Sequence, residues 1–549
     1  MVLFKNCLTR SVFFYDLALS ELSISRMRKF LTELCLCAWV LFLGCQSPTY
    51  DLIIEHGNVF DGSGNPPVAT DIGILGDQIV KTGDLSSSKA KVRIEARGMA
   101  VAPGFIDLHA HLEPLLELPG AESAIRQGVT TSLGGPDGSS PWPLDSYLLK
   151  ADSTGMGMNV AFLVGHNTIR KNIMGLENRA PTAEELAAMQ AQVAEGMKAG
   201  AYGLSTGLKY LPGAFSEVNE VIALAKTASQ YQGIYTSHLR EEGIGLIEAV
   251  TEAIAIGKEA QIPVVLTHHK AIGTRMWGGS VRTLALVDSA RKAGIDVMMD
   301  QYPYNASYTG LAVLIPAWAM AGGAEDFKKR VSDPVLRDSI KKGIIHNILY
   351  DRGGADLHRI QFATVSWKKD LEGKTLHDWL VERKVGPTPE NGAEFVIEGQ
   401  LNGGASCVYF AMDDADVERI MQHPQTMIAS DGRLGNPGEG HPHPRWYGTF
   451  PRVLGVYVRE KGILTLESAI RKMTTLPADR LGLANRGRIE ENTYADVVVF
   501  DPNTVIDKST FQNPHQYPEG IEYVIVNGQL AVDRGVYQNI RPGRVLRKR

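Results

Sequence analysis

Cysteine is scarce in this 549-residue chain and badly placed for structural use. Of the five, Cys7, Cys35, Cys37 and Cys45 fall in the first 45 residues and only Cys407 lies in the body, which excludes a disulfide framework. An excess of positive charge is also missing: 56 Lys and Arg stand against 61 Asp and Glu, a net of −5, so no basic field marks the chain for nucleic acid. With 44% hydrophobic and 21% charged residues, the composition is that of a globular protein, neither disordered nor built of many membrane spans. The length exceeds one ordinary domain and predicts a core domain with an accessory one.

A short apolar run stands near the start. Met27-Arg28-Lys29 opens a basic stretch, and Leu34 to Gly44 is apolar, ending in Leu43-Gly44-Cys45. That order, at a length too short to span a bilayer, is that of a secretory signal. A small residue followed by Cys45 resembles the bacterial lipoprotein signal, although Glu33 and Phe42 depart from its usual pattern. The resemblance implies a lipidated Cys45 as the new N-terminus. The expectation is an exported protein of the cell envelope, tethered to the membrane only through Cys45, or periplasmic if cleaved without lipidation. Residues 1–44 are read as the signal segment, with 1–26 as an upstream extension.

From Gly104 the chain repeats one pattern: a short apolar run, a polar turn, an amphipathic helix. The runs are Phe105–Leu108, Thr130–Leu133, Val160–Val164, Ala201–Leu204, Ile234–Ser237, Val264–Thr267, Val297–Asp300 and Met427–Ser430. Between them, Thr182-Ala183-Glu184-Glu185 is a capping box before a helix ending near Gly200. Leu246–Ala260 and Val281–Ala293 carry apolar residues at helical spacing, and Gly294 supplies a stop. Eight strand–helix alternations predict an α/β fold, a (β/α)8 TIM-type barrel over 104–484. Such a barrel needs about 250 residues, and the surplus lies between the seventh and eighth strands. It predicts an inserted subdomain over about 305–425, placed to cover a site. The flanks, 45–103 and 485–549, alternate Val and Ile with Gly-Asn, Asp-Gly and Asn-Gly turns, and predict one small β-sandwich built from both chain ends.

In this architecture chemistry is expected where strands end at their C-terminal side. His109 and His111 follow the first strand, His238 ends the fifth, His268 ends the sixth and Asp431 ends the eighth. A single His-x-His is weak, but alternate strand residues point the same way, so both rings reach one ion. Imidazoles and a carboxylate converging on one rim suit Zn²⁺ or another divalent transition metal.

With these residues in place, the chain resembles the amidohydrolase superfamily, and within it the N-acyl-D-amino-acid deacylases (D-aminoacylases), from Tyr50 to the end. The resemblance also rests on Gly165-His166-Asn167, Ser205-Thr206-Gly207-Leu208, Asp300-Gln301-Tyr302-Pro303-Tyr304, and His443-Pro444-Arg445 with Gly448-Thr449-Phe450-Pro451-Arg452. It implies that His238 and His268 hold a tightly bound metal, that His109 and His111 serve a second position, and that Asp431 is the catalytic carboxylate. One feature departs from the family. Where members have a cysteine in an Asn-Cys-Gly turn, this chain has Gly134-Gly135-Pro136-Asp137-Gly138, which offers Asp137 as a harder anionic ligand that favours a two-metal site. As a plain turn residue Asp137 would bind nothing.

The implied chemistry is hydrolysis of the amide of an N-acyl-D-amino acid, a small-molecule substrate. A metal on His238, His268 and Asp137 would bring the pKa of bound water to roughly 7. Asp431 would take that proton and return it to the leaving amine, with Tyr302 or Tyr304 beside the oxyanion. The substrate carboxylate has Arg240, Lys270, Arg445 and Arg452 as candidate partners, of which Lys270 and Arg445 adjoin the metal residues most closely. His166 and His269 are read as outer-shell donors or packing. Lys209, near the end of the fourth strand, is read as a solvated loop residue; carboxylated, it would bridge two metals as in cyclic-amide hydrolases resembling dihydroorotases and hydantoinases. That is the rival activity. A lipid-anchored binding protein without activity is the rival outside enzymes.

Overall fold

The computed structural model describes residues 49–548. The signal segment and Cys45 lie outside them. Among the described residues, no helix is long and apolar enough to cross a membrane.

Eight parallel strands form the barrel, each fully buried: Phe105–Asp107, Val129–Gly134, Asn159–Phe162, Gly203–Gly207, Ile234–His238, Val264–Leu266, Val297–Gln301 and Thr426–Ile428. Burial on both faces is why they read as continuous apolar runs rather than alternating ones. Hydrogen bonding divides them into two ladders, which meet at the third strand. Its body pairs with the second strand, and its continuation Val164–Gly165 pairs with the fourth. The remaining seam, between the eighth and first strands, is closed just beyond the strand bodies. There Ser430 N–H donates to Asp107 Oδ1 at 2.9 Å, Asp431 N–H donates to the His109 carbonyl at 2.9 Å, and Gly432–Arg433 runs parallel to Ala110–His111. The closure therefore falls among the histidines and the carboxylate.

The fourth strand begins and ends later than its apolar run suggested. Ser205, Thr206 and Gly207 continue it, because their polar groups are satisfied inside the barrel. Ser205 Oγ donates to the Gly135 carbonyl at 2.6 Å and Thr206 Oγ1 to Ser237 Oγ at 3.0 Å, so burial carries no unpaired hydroxyl. The helices follow the sequence signals closely. Thr182 caps Ala183–Lys198 in a reciprocal capping box, Leu246–Ala260 holds its limits, and Ser280–Lys292 stops before Gly294 at φ +84°.

Both chain ends meet in one nine-stranded sheet. The antiparallel pair of Ala100–Pro103 with Val497–Phe500 joins the N-terminal strands to the C-terminal ones. The β-sandwich expected from the turn pattern is hydrogen-bonded throughout as one network, which branches where Tyr50–Val59 pairs with both Ala90–Glu95 and Ala100–Pro103. Ile54, Ile72 and Ile79 from one end share a core with Val497, Val499 and Ile525 from the other.

The insertion has its own three-stranded antiparallel sheet, with Ser406–Tyr409 between Ser307–Gly310 and Ile360–Thr364, and its own core around Trp379. It ends earlier than 425. Helix Asp414–Gln422 buries Val417, Ile420 and Met421 in the barrel core and serves as the barrel's own helix before the last strand.

Candidate metal centre

Five of the expected donors come together with Asp137, whose role the sequence left open. His109, His111, Asp137 and Asp431 form one group and Asp137, His238 and His268 another, each with ligand atoms within 4.8 Å of one another. Asp137 belongs to both. Its Oδ1 lies 3.5 Å from His109 Nε2 and 3.4 Å from His268 Nε2, and its Oδ2 lies 3.7 Å from His111 Nε2 and 3.6 Å from His238 Nδ1. The turn reading is therefore incomplete: Asp137 turns the chain and also projects its carboxylate into the middle of the site. Asp431 Oδ1 lies 3.2 Å from His111 Nε2 and 3.5 Å from His109 Nε2.

The donor set fits a divalent ion. Ligands about 2.1 Å from a tetrahedral ion stand about 3.4 Å apart, close to the spacings here. His109 Nε2 and Asp137 Oδ1 are buried with no hydrogen-bond partner, a cost that a cation between them removes. Backbone strain also marks the site. Asp137, His268 and Asp431 all have left-handed backbones, with φ of +53°, +36° and +48°, rare for residues other than glycine and sustained only where surrounding structure enforces them. At Asp137 the enforcement is visible: a Cβ on Gly207 would stand 2.2 Å from the Asp137 carbonyl oxygen, so only glycine lets the fourth strand approach this turn.

Electrostatics keep the carboxylates ionised. Burial alone would raise both, but His109 and His268 hold Asp137 well below the usual range, and Arg445 and His109 do the same for Asp431. By contrast burial leaves Asp107, at the foot of the site, up at about 6.

The aromatic and basic residues divide. Tyr302 faces a cavity of about 290 Å³ over the metal residues, and its hydroxyl is buried without a partner. Tyr304 does not: its hydroxyl donates to Asp507 Oδ2 at 3.4 Å and Arg452 lies 4.8 Å over its ring. Lys270 lines the cavity and reaches Glu242 Oε1 at 2.5 Å. Arg445 lies behind Asp431, paired with Oδ2 at 2.9 Å, and does not line the cavity. Arg240 is taken up by Glu252, with contacts of 2.8–3.2 Å, and lines a neighbouring recess instead of the cavity over the metal residues; helix Leu246–Ala260 carries that partner into reach. Arg452 is held by Asp507 and the Pro303 carbonyl. His166 pairs with Glu220 at 2.8 Å, and His269 with Thr283 at 2.8 Å, where burial lowers it to about 3 and keeps it neutral. Lys209 is not solvated. It donates to Glu241 at 2.8 Å and to Asp351 of the insertion at 3.1 Å.

Residues that carried no sequence signal complete the cavity. Tyr210 and Glu242 come from strand-end loops, and Tyr308, Thr309, Arg352 and Ser406 form a wall supplied by the insertion. A further cluster, His358, His377 and Asp378, lies on the insertion. Its rings stack at 3.8 Å and 22°, and His358 Nδ1 is engaged by Asp356 Oδ1 at 2.8 Å.

Comparison with known proteins agrees with the geometry. Residues 93–532 match the model of the amidohydrolase family. The chain belongs to that family. As an amidohydrolase it is 39% identical to the N-acyl-D-glutamate deacylase of Alcaligenes xylosoxydans xylosoxydans over 91% of this chain and 96% of the relative. It is 37% identical to the D-aminoacylase of the same organism, over 91% and 98%. Among solved structures, the N-acyl-D-glutamate deacylase from Bordetella bronchiseptica, complexed with zinc and a phosphonate mimic of the tetrahedral intermediate, superposes with a TM-score of 0.77 at 34% identity, covering 91% of this chain and all of that one.

Proposed function

We propose that this amidohydrolase cleaves the amide bond of N-acyl-D-amino acids, releasing a carboxylate and a free D-amino acid, with zinc as its metal. The observation that carries the reading is Asp137 and Asp431 set among four strand-end imidazoles, beneath a cavity whose open wall comes from the insertion. His238, His268 and Asp137 would hold one ion, and His109, His111, Asp137 and Asp431 a second. When bound, the metal polarises the amide carbonyl and acidifies water.

The chain's own residues do the rest. Asp431, kept ionised by Arg445, accepts a proton from the attacking water at Oδ1 and passes it to the leaving nitrogen as the C–N bond breaks. Tyr302, its hydroxyl kept protonated by burial, is a free donor for the oxygen on which negative charge develops. The insertion shields the reaction from bulk water. An adjoining recess of about 630 Å³, sharing Tyr210, Leu211 and Thr309, is lined further by apolar Val313, Ile315 and Trp318 and by basic Lys209 and Arg240, and offers room for the substrate.

Lys209 disfavours the cyclic-amide rival. Burial would lower it, but Asp351 and Glu241 outweigh burial and hold the ammonium above its ordinary value. Carboxylation needs the free amine and would set a negative charge against two carboxylates. The deciding assay measures release of D- against L-amino acids from N-acetyl-leucine and N-acetyl-glutamate, with and without chelator. Chelator-sensitive turnover of D-substrates, and not of their L-counterparts, is expected. No turnover of acyl-D-amino acids, with rapid opening of a cyclic imide, would reverse the assignment.

Export and a lipid anchor at Cys45 are part of this proposal, supported by the basic–apolar–Gly44-Cys45 order. Labelling with radioactive palmitate should mark the protein and fail in Cys45→Ser; equal labelling of both would remove Cys45 as the anchor.

A further inference from the structure

Glu242 has no part in the chemistry just described, yet it is buried beside the metal residues. Its backbone carbonyl accepts from Ile272 N–H at 2.9 Å, which ties the loop after the fifth strand to the loop after the sixth. Its two oxygens face two histidines. Oε1 is 3.2 Å from His268 Nδ1 and Oε2 is 3.8 Å from His238 Nε2, a nitrogen buried without a hydrogen-bond partner. The opposite nitrogens of the same rings, His268 Nε2 and His238 Nδ1, stand 2.7 Å apart and face Asp137.

A neutral imidazole binds a metal through the nitrogen that lacks a proton, so the other nitrogen must carry it. An ionised carboxylate only accepts hydrogen bonds, and placed against the outer nitrogen it selects the tautomer that frees the inner one. We infer that Glu242 is a positioning residue that orients His268 toward one divalent ion; His238 Nε2, 3.8 Å from Oε2, is beyond hydrogen-bond reach of it. Lys270, 2.5 Å from Oε1, balances the charge so that a third carboxylate is tolerated in the cavity. Lys270 also lies 2.6 Å from His268 Nδ1, a distance at which two donors cannot face each other, so the metal-binding tautomer requires the ammonium to turn from the ring to Glu242.

This inference rests on the metal-centre reading but not on the substrate, and its test reads metal rather than turnover. Glu242→Gln keeps the shape but replaces one acceptor oxygen by an NH2 donor facing an imidazole N–H. Zinc affinity, measured by chelator competition on the full chain, should fall about 10–100-fold, and the visible bands of the cobalt-substituted protein should shift. Lys270→Gln, which removes the cation and leaves the carboxylate, should keep zinc affinity within about threefold, well short of that loss. Affinity within threefold of the parent in Glu242→Gln would overturn the inference. So would an equal loss in Lys270→Gln, because Glu242 would then be only a partner for the lysine. Should Glu242→Gln fail to fold, Glu242→Asp, with the acceptor on a shorter arm, should bind zinc about three- to tenfold more weakly, at the lower end of an outer-shell effect; unchanged affinity there would overturn the inference equally.

Discussion

Asp431→Asn should lower turnover of the preferred acyl-D-amino acid by about 10²–10⁴-fold, the usual contribution of a positioned acid–base group, while zinc stays on His238, His268 and Asp137. The substitution is nearly isosteric and leaves the left-handed backbone at this position within reach, since asparagine tolerates it. What disappears is the proton acceptor. In the parent protein the carboxylate is kept ready by Arg445, 2.9 Å from Oδ2, and Oδ1 faces His109 and His111 at 3.5 and 3.2 Å. The asparagine leaves the guanidinium buried without its counter-charge, so some loss of stability should accompany the loss of rate. Single-turnover kinetics with metal content determined on the same sample separate the two effects. If the ion leaves the His238, His268 and Asp137 group together with the activity, Asp431 is mainly a ligand and the acid–base role fails.

Asp137→Ala should act on the metal first. Asp137 is the one donor common to both groups and the one carboxylate in the group with His238 and His268. Removing it should weaken zinc binding by more than about 100-fold, beyond the 10–100-fold typical of losing an outer-shell partner. Apo protein should accumulate on dialysis and regain activity only with excess zinc. Asp137→Cys should retain zinc, because thiolate and carboxylate are both anionic ligands, and should shift preference toward softer ions. Unchanged zinc affinity in the alanine variant would return Asp137 to a turn residue alone.

Much of this was legible before any coordinates. The eight apolar runs set the barrel, and barrel polarity then placed His109, His111, His238, His268 and Asp431 on one rim, since residues at the C-terminal ends of such strands must share it. The insertion was legible from length alone. Its end near Met412 was not, because helix Asp414–Gln422 has the local pattern of any amphipathic helix and only its packing assigns it to the barrel.

What the sequence by itself determined is the set of strand ends and the metal-binding chemistry they carry, because strand alternation and barrel polarity are local rules. Tertiary structure alone decided which neighbours claim each polar side chain. Tyr302 and Tyr304 are two residues apart, but the strand ends at Gln301, so alternation no longer applies; one enters the cavity and the other turns to Asp507. Arg240 and Lys270 were both candidates for the substrate carboxylate, with Lys270 the nearer to the metal residues, and Glu252 on the next helix occupies Arg240. Glu242 carried no local signal and took its place only where the loops after the fifth and sixth strands met. The reason is physical: long polar side chains are positioned by charges and hydrogen-bond partners brought together through packing, and no local preference encodes those meetings.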